Sequence, residues 1–114
     1  MEDSLKLFKE IKKINEDFEK NKEKYLENLK KLARELNFRV FLFGSFLEKE
    51  KFVGGSDVDV LIVVQELTKE KRYKLLRKLK EIVNENPRFE FHIIDEKEFE
   101  LRKRFIKKIK EIKS

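Results

Sequence analysis

Cysteine is absent from the 114-residue chain, so neither a disulfide framework nor a thiolate metal site can form, and an intracellular, cytoplasmic setting is expected. No run of 18 or more apolar residues occurs, and the N-terminus carries no charged-then-apolar leader. The sequence therefore predicts neither a membrane span nor a secretory signal. Tryptophan is missing, proline occurs once and glycine three times. No internal repeat, low-complexity tract or linker divides the chain, and its length suits one domain, 1–114, with a single modest core.

Charge is what the chain has in quantity. Asp, Glu, Lys and Arg make up 46% of it, with a net charge of +6. The surplus is uneven: residues 68–83 hold seven basic against two acidic residues, and 96–114 hold eight against four. Both segments flank Phe89–Ile94. A basic surface attracts phosphates, while strongly charged helices also serve simply as solvated faces. An RNA- or DNA-binding reading rests on those basic helices alone, since no aromatic-plus-basic motif of a recognised kind accompanies them.

Periodicity predicts alternating helix and strand. Leu5, Phe8, Ile11, Ile14 and Phe18, then Tyr25, Leu29, Leu32 and Leu36, recur at helical steps. The pattern is weakest from Asn15 to Asn21, which leaves open one long helix or two shorter ones. If continuous, it would extend about 45–50 Å, long enough for a partner chain to cover part of it. Phe38–Phe43 and Val58–Val64 read as strands. Thr68 suits the N-cap of a helix striped by Leu75, Leu76, Leu79, Ile82 and Val83, ended by Asn84–Pro87. Phe89–Ile94 alternates as a third strand. Asp95, with Glu98 three residues on, resembles a capping box opening a last helix striped by Phe99, Phe105, Ile109 and Ile112.

Two aspartates stand out against this pattern. Asp57 and Asp59, separated by Val58, lead directly into the apolar run Val60–Val64. Side chains alternate along a strand, so both point to one face while Val58 and Val60 point to the other. Paired carboxylates repel each other and resist losing water. Either both face solvent on an exposed strand, or a hard divalent cation sits between them, with Mg²⁺ the usual choice when phosphate completes its shell. The preceding loop holds Gly44-Ser45, where a small residue lets backbone N–H groups approach a phosphate. A conformational turn explains an isolated Gly-Ser equally well. Ser56, next to Asp57, reads as a support to the site or as a turn residue.

The ordered set of strand, Gly-Ser, eleven residues and Asp-Val-Asp-Val resembles the signature of the DNA polymerase beta nucleotidyltransferase superfamily. It is most similar to that superfamily's minimal, single-domain prokaryotic branch. The resemblance runs from Val40 to the last helix. It includes Phe89-Glu90-Phe91-His92-Ile93 and the later Glu98-Phe99 and Arg104-Phe105-Ile106. It implies an α+β fold: a small mixed β-sheet of at least three strands flanked by helices. In that frame 1–37 forms an N-terminal helical segment, 38–95 the catalytic sheet and 96–114 a C-terminal helix.

It further implies a third carboxylate, matched by Glu90, with Asp95 a weaker match because capping accounts for it. Asp57, Asp59 and Glu90 are then the catalytic and metal-binding set, holding two Mg²⁺ or Mn²⁺ ions around the α-phosphate of ATP or another nucleoside triphosphate. Gly44 and Ser45 take the β- and γ-phosphates, with Ser56 beside them. His92, a lone histidine, reads more readily as a hydrogen-bonded neighbour than as a ligand. Relatives often carry a glycine where this chain has Glu48 and Lys49, which puts the tightness of the triphosphate grip in question. Segment 96–114 leaves little room for an acceptor-binding domain. The resemblance therefore implies an acceptor hydroxyl brought by a partner, such as a small helical toxin of the HEPN type, with a homodimer as the other use of the long helix. The alternative class is a catalytically silent antitoxin or protein-binding module.

Overall fold

The computed structural model describes residues 2–43, 57–106 and 108–113; Gly44, Ser45 and Ser56 therefore lie outside the described residues. The first apolar stripe forms one continuous helix, α1 (Glu2–Leu36), about 52 Å long at 1.5 Å per residue. Its C-terminal half is anchored: Phe18, Tyr25, Leu29 and Leu32 are buried. Asn37 ends it in the left-handed region (φ 56°), where asparagine is tolerated better than most residues. The Phe38 amide then donates back to the Ala33 carbonyl at 3.0 Å.

The weak stretch Asn15–Asn21 does not break α1, because its polar residues meet polar partners. Asp17 accepts from Asn21, Asn86 and the Tyr25 hydroxyl at 2.8–2.9 Å. Asn86, buried, also donates to the Ile14 carbonyl at 3.0 Å. Polar residues inside an apolar stripe are tolerable when each finds such a bond.

The chain continues through β1 (Arg39–Phe43) and β2 (Val58–Val64). Helix α2 (Lys69–Ile82) is capped by Thr68, whose hydroxyl accepts from the Lys71 amide at 3.1 Å. It gives way to β3 (Phe89–Asp95) through Asn84 and Glu85, both at positive φ. Asp95 caps α3 (Glu96–Arg102), its Oδ1 accepting from the Glu98 amide at 2.7 Å. The Glu98 side chain turns instead to Arg102, at 2.7 Å.

The segment 96–114 is not the single C-terminal helix its periodicity predicts. After α3 come a 3₁₀ turn (Lys103–Phe105) and a fourth strand, β4 (Ile109–Ile112), antiparallel to β1. Ile109 and Ile112, three apart, look like one helical face in sequence. In β4 they lie on opposite faces and pack against different core clusters. Pairing with the open side of β1 satisfies a row of backbone groups that a helix would leave bare.

The mixed sheet runs β3-β2-β1-β4, with β2 and β3 parallel and the other pairs antiparallel. The three helices flank it. Val40, Leu42, Val58, Val60, Ile62, Phe89 and Ile93 face α1 and α2 in the larger core cluster. The other face carries a smaller one, in which Phe99 of α3 packs with Phe41, Leu61, Val63 and Ile94. The Phe41 and Phe99 rings stack at 4.8 Å, and Arg39 spans the same corner, bridging to Glu96 and Glu111. No helix among the described residues is long and apolar enough to cross a membrane.

Candidate functional site

Strand alternation decides which way the acidic residues point. Val58, Val60 and Ile62 are drawn into the helix-covered core, which turns Asp59 to the opposite face. Parallel pairing of β2 with β3 then sets Asp59 beside Glu90, and Leu61 beside His92. Glu90, His92 and Ile94 share the face, as expected from the sequence. Helix α3 covers only part of this face, through Phe99, and the starts of β2 and β3 lie outside the cluster it forms.

Three potential ligand-bearing side chains converge there. One donor atom each from Asp59, Glu90 and His92 lies within 4.8 Å of the other two. His92 Nε2 is 3.4 Å from Asp59 Oδ1 and 3.8 Å from Glu90 Oε1. Phe43, opposite Asp59 in the register, sets its ring edge-on to the imidazole at 5.3 Å. Asp59 and His92 are half-buried, while Glu90 is exposed. Asp57 lies one residue before β2, exposed, and is not one of the three.

Sequence reasoning ranked His92 as a neighbour and passed over Arg88. Arg88 is only 4% exposed. Its guanidinium lies 3.9 Å from the centroid of the Phe18 ring, and Nη1 is 3.5 Å from Asn15 Oδ1. Burial pulls its pKa below the usual arginine value, against the opposing charges of Glu19 and Asp57. Its backbone carbonyl accepts from the Val58 amide at 2.6 Å. Arg88 thus ties α1 to the starts of β2 and β3: its partner Val58 directly precedes Asp59, and Arg88 itself stands two residues before Glu90. Interleaved with apolar residues at Phe89 and Phe91, it gave no sequence signal of burial; only the proximity of α1 creates it.

Two carboxylates with an imidazole within 4.8 Å are a donor set that fits a divalent cation. The carboxylate oxygens are hard ligands suited to Mg²⁺ or Mn²⁺. The imidazole suits a softer metal, or holds a carboxylate in place from beside it. Among the described residues this is the one cluster of this kind.

Residues 22–113 match the family model described as nucleotidyltransferase domain. A solved structure, described as "Crystal structure of putative nucleotidyltransferase", is 27% identical to this chain with a TM-score of 0.51, and the match covers 96% of this chain and 97% of the other. No curated protein matches the chain.

Proposed function

Since the chain belongs to the nucleotidyltransferase domain family, we propose that it moves a nucleoside monophosphate, AMP from ATP, onto a hydroxyl acceptor. The acceptor oxygen forms a bond to the α-phosphorus, the bond to the bridging oxygen breaks, and pyrophosphate leaves. The observation that carries this reading is the parallel register that sets Asp59 beside Glu90, with His92 on the same face.

Asp59 and Glu90 would hold a divalent ion, Mg²⁺ or Mn²⁺, with Asp57 completing the motif and allowing a second. Such ions, when bound, neutralise the triphosphate and lower the pKa of the acceptor hydroxyl. The protein's own share is placement. Asp59, fixed between the Phe43 and Glu90 positions, takes the hydroxyl proton as base, and His92 at 3.4 Å steadies that carboxylate. Gly44, Ser45 and Ser56 are assigned to the triphosphate on the motif alone. Because phosphoryl transfer needs mostly position and charge neutralisation, this small set suffices.

For the acceptor we propose a partner protein, a small helical toxin of the HEPN type. Leu5, Leu7, Phe8 and Ile11 in the first turns of α1 are exposed and support a partner there. The test is incubation with Mg²⁺ and labelled ATP, GTP, CTP or UTP, alone and with the product of the adjacent gene. Transfer of label, lost in Asp59→Asn and Asp57→Asn, is the expected result. Partner binding that survives both substitutions with no label transferred would establish a silent binding module instead.

A further inference from the structure

At the end of the sheet away from the acidic cluster lies an open concavity of about 490 Å³. Leu36 and Asn37 from the end of α1, Phe38, the 64–67 connection and one side of α2 line it. Val64 is five residues along β2 from Asp59, about 16 Å at 3.3 Å per residue. Val64, Phe38, Leu67 and Leu75 belong with the larger core cluster. The concavity is therefore separated from the acidic cluster both by face and by length of strand.

Its chemistry is two-sided. The floor is aliphatic, Leu36, Val64, Leu67 and Leu75, joined by the Phe38 ring. The rim carries Lys71, Lys74 and Lys78, spaced three and four apart so that they share one side of α2. Against these three lysines stands, among the described lining residues, one acid, Glu66. Among the described residues none of the three lysines takes part in an ion pair. An apolar hollow of this size with a few convergent charged groups is the usual form of a small-molecule site.

We propose that this concavity binds a small amphipathic anion, an aliphatic carboxylate whose chain lies on the Leu36–Val64–Leu67–Leu75 floor and whose head meets Lys71, Lys74 and Lys78. Lysine ammonium groups attract an anionic head as point charges and demand no fixed orientation. A nucleotide fits less well, because Phe38 is buried and no exposed ring among the described lining residues offers a base a stacking surface. The site does not depend on the transfer reaction.

The test is calorimetric titration of the full chain with hexanoate, octanoate and decanoate, with amide shifts mapped by NMR. Each added methylene is expected to tighten binding about fourfold, the factor equivalent to burying one CH₂. Shifts should centre on Phe38, Val64, Leu67, Lys71 and Lys74. The exposed-surface variant Lys74→Gln/Lys78→Gln should weaken every member of the series about three- to tenfold and leave nucleotide transfer unchanged. Affinity independent of chain length, shifts mapping elsewhere, undiminished binding by the double variant, or tighter binding of AMP than of decanoate at these residues would each overturn it.

Discussion

Asp17 and Tyr25 show how single side chains hold α1 in place and set the limits of pH over which they do so. Burial pushes the Asp17 carboxyl up, yet hydrogen bonds from Asn86, Tyr25 and Asn21 outweigh it and hold the group below the ordinary aspartate value. Tyr25 moves the other way: burial, then the hydrogen bond and charge of Asp17, raise it above the ordinary tyrosine value. A lowered carboxyl stabilises the fold above its unfolded value and loses that contribution as pH falls through the folded one. A raised phenol stabilises below its unfolded value and loses that as pH rises. The cluster therefore contributes fully between these limits. Asp17→Asn is expected to cost about 1–3 kcal/mol at neutral pH, and less as the pH falls through the lowered Asp17 range, measured by urea unfolding across an acid series. His92 illustrates the same locality: its role depends on Asp59 and Glu90 lying across a strand pair, which no lone histidine announces in sequence.

At the scale of elements, α1 has two unequal halves. Leu29 is fully buried against the sheet, whereas Phe8 is 66% exposed near the other end. Leu29→Ala should destabilise by about 2–5 kcal/mol, the range for emptying a packed site. Phe8→Ala should stay within about 0.5 kcal/mol, as surface changes usually do. Denaturant midpoints of the two variants check the contrast; equal losses would mean that the first turns are packed in solution. Strand β4 carries the opposite lesson. Its residues Ile109-Lys110-Glu111-Ile112 mimic a helical stripe, and only the free side of β1 makes a strand of them.

For the whole molecule, the proposed metal-dependent reading would couple cation binding at the gathered carboxylates to folding. A cation bound to the folded state alone stabilises it by about 2.7 kcal/mol at a hundredfold excess over its dissociation constant. Thermal unfolding of the chain should therefore move upward with added Mn²⁺ or Mg²⁺ and return on chelation. Asp59→Asn should abolish that response, since removing one carboxylate takes a hard donor from the set. A melting curve indifferent to both ions would count against the metal-dependent reading. The basic surplus in 68–83 lies elsewhere: Lys71, Lys74 and Lys78 line a hollow on the far side of the sheet.

What the amino-acid order settled by itself was local: the two apolar stripes that α1 joins, three strands, the caps at Thr68 and Asp95, and the turning of Asp59 away from the core. These follow from periodicity and from hydrogen bonds spanning a few residues. What only the tertiary structure decided was non-local: the fourth strand, the burial of Arg88 beneath Phe18, and the meeting of Asp59 with Glu90 and His92 while Asp57 stands apart. Each depends on residues roughly thirty to seventy positions apart being brought into register. Strand pairing and helix docking select such contacts by total burial and hydrogen-bond satisfaction, a sum over the whole chain that no short stretch of sequence contains.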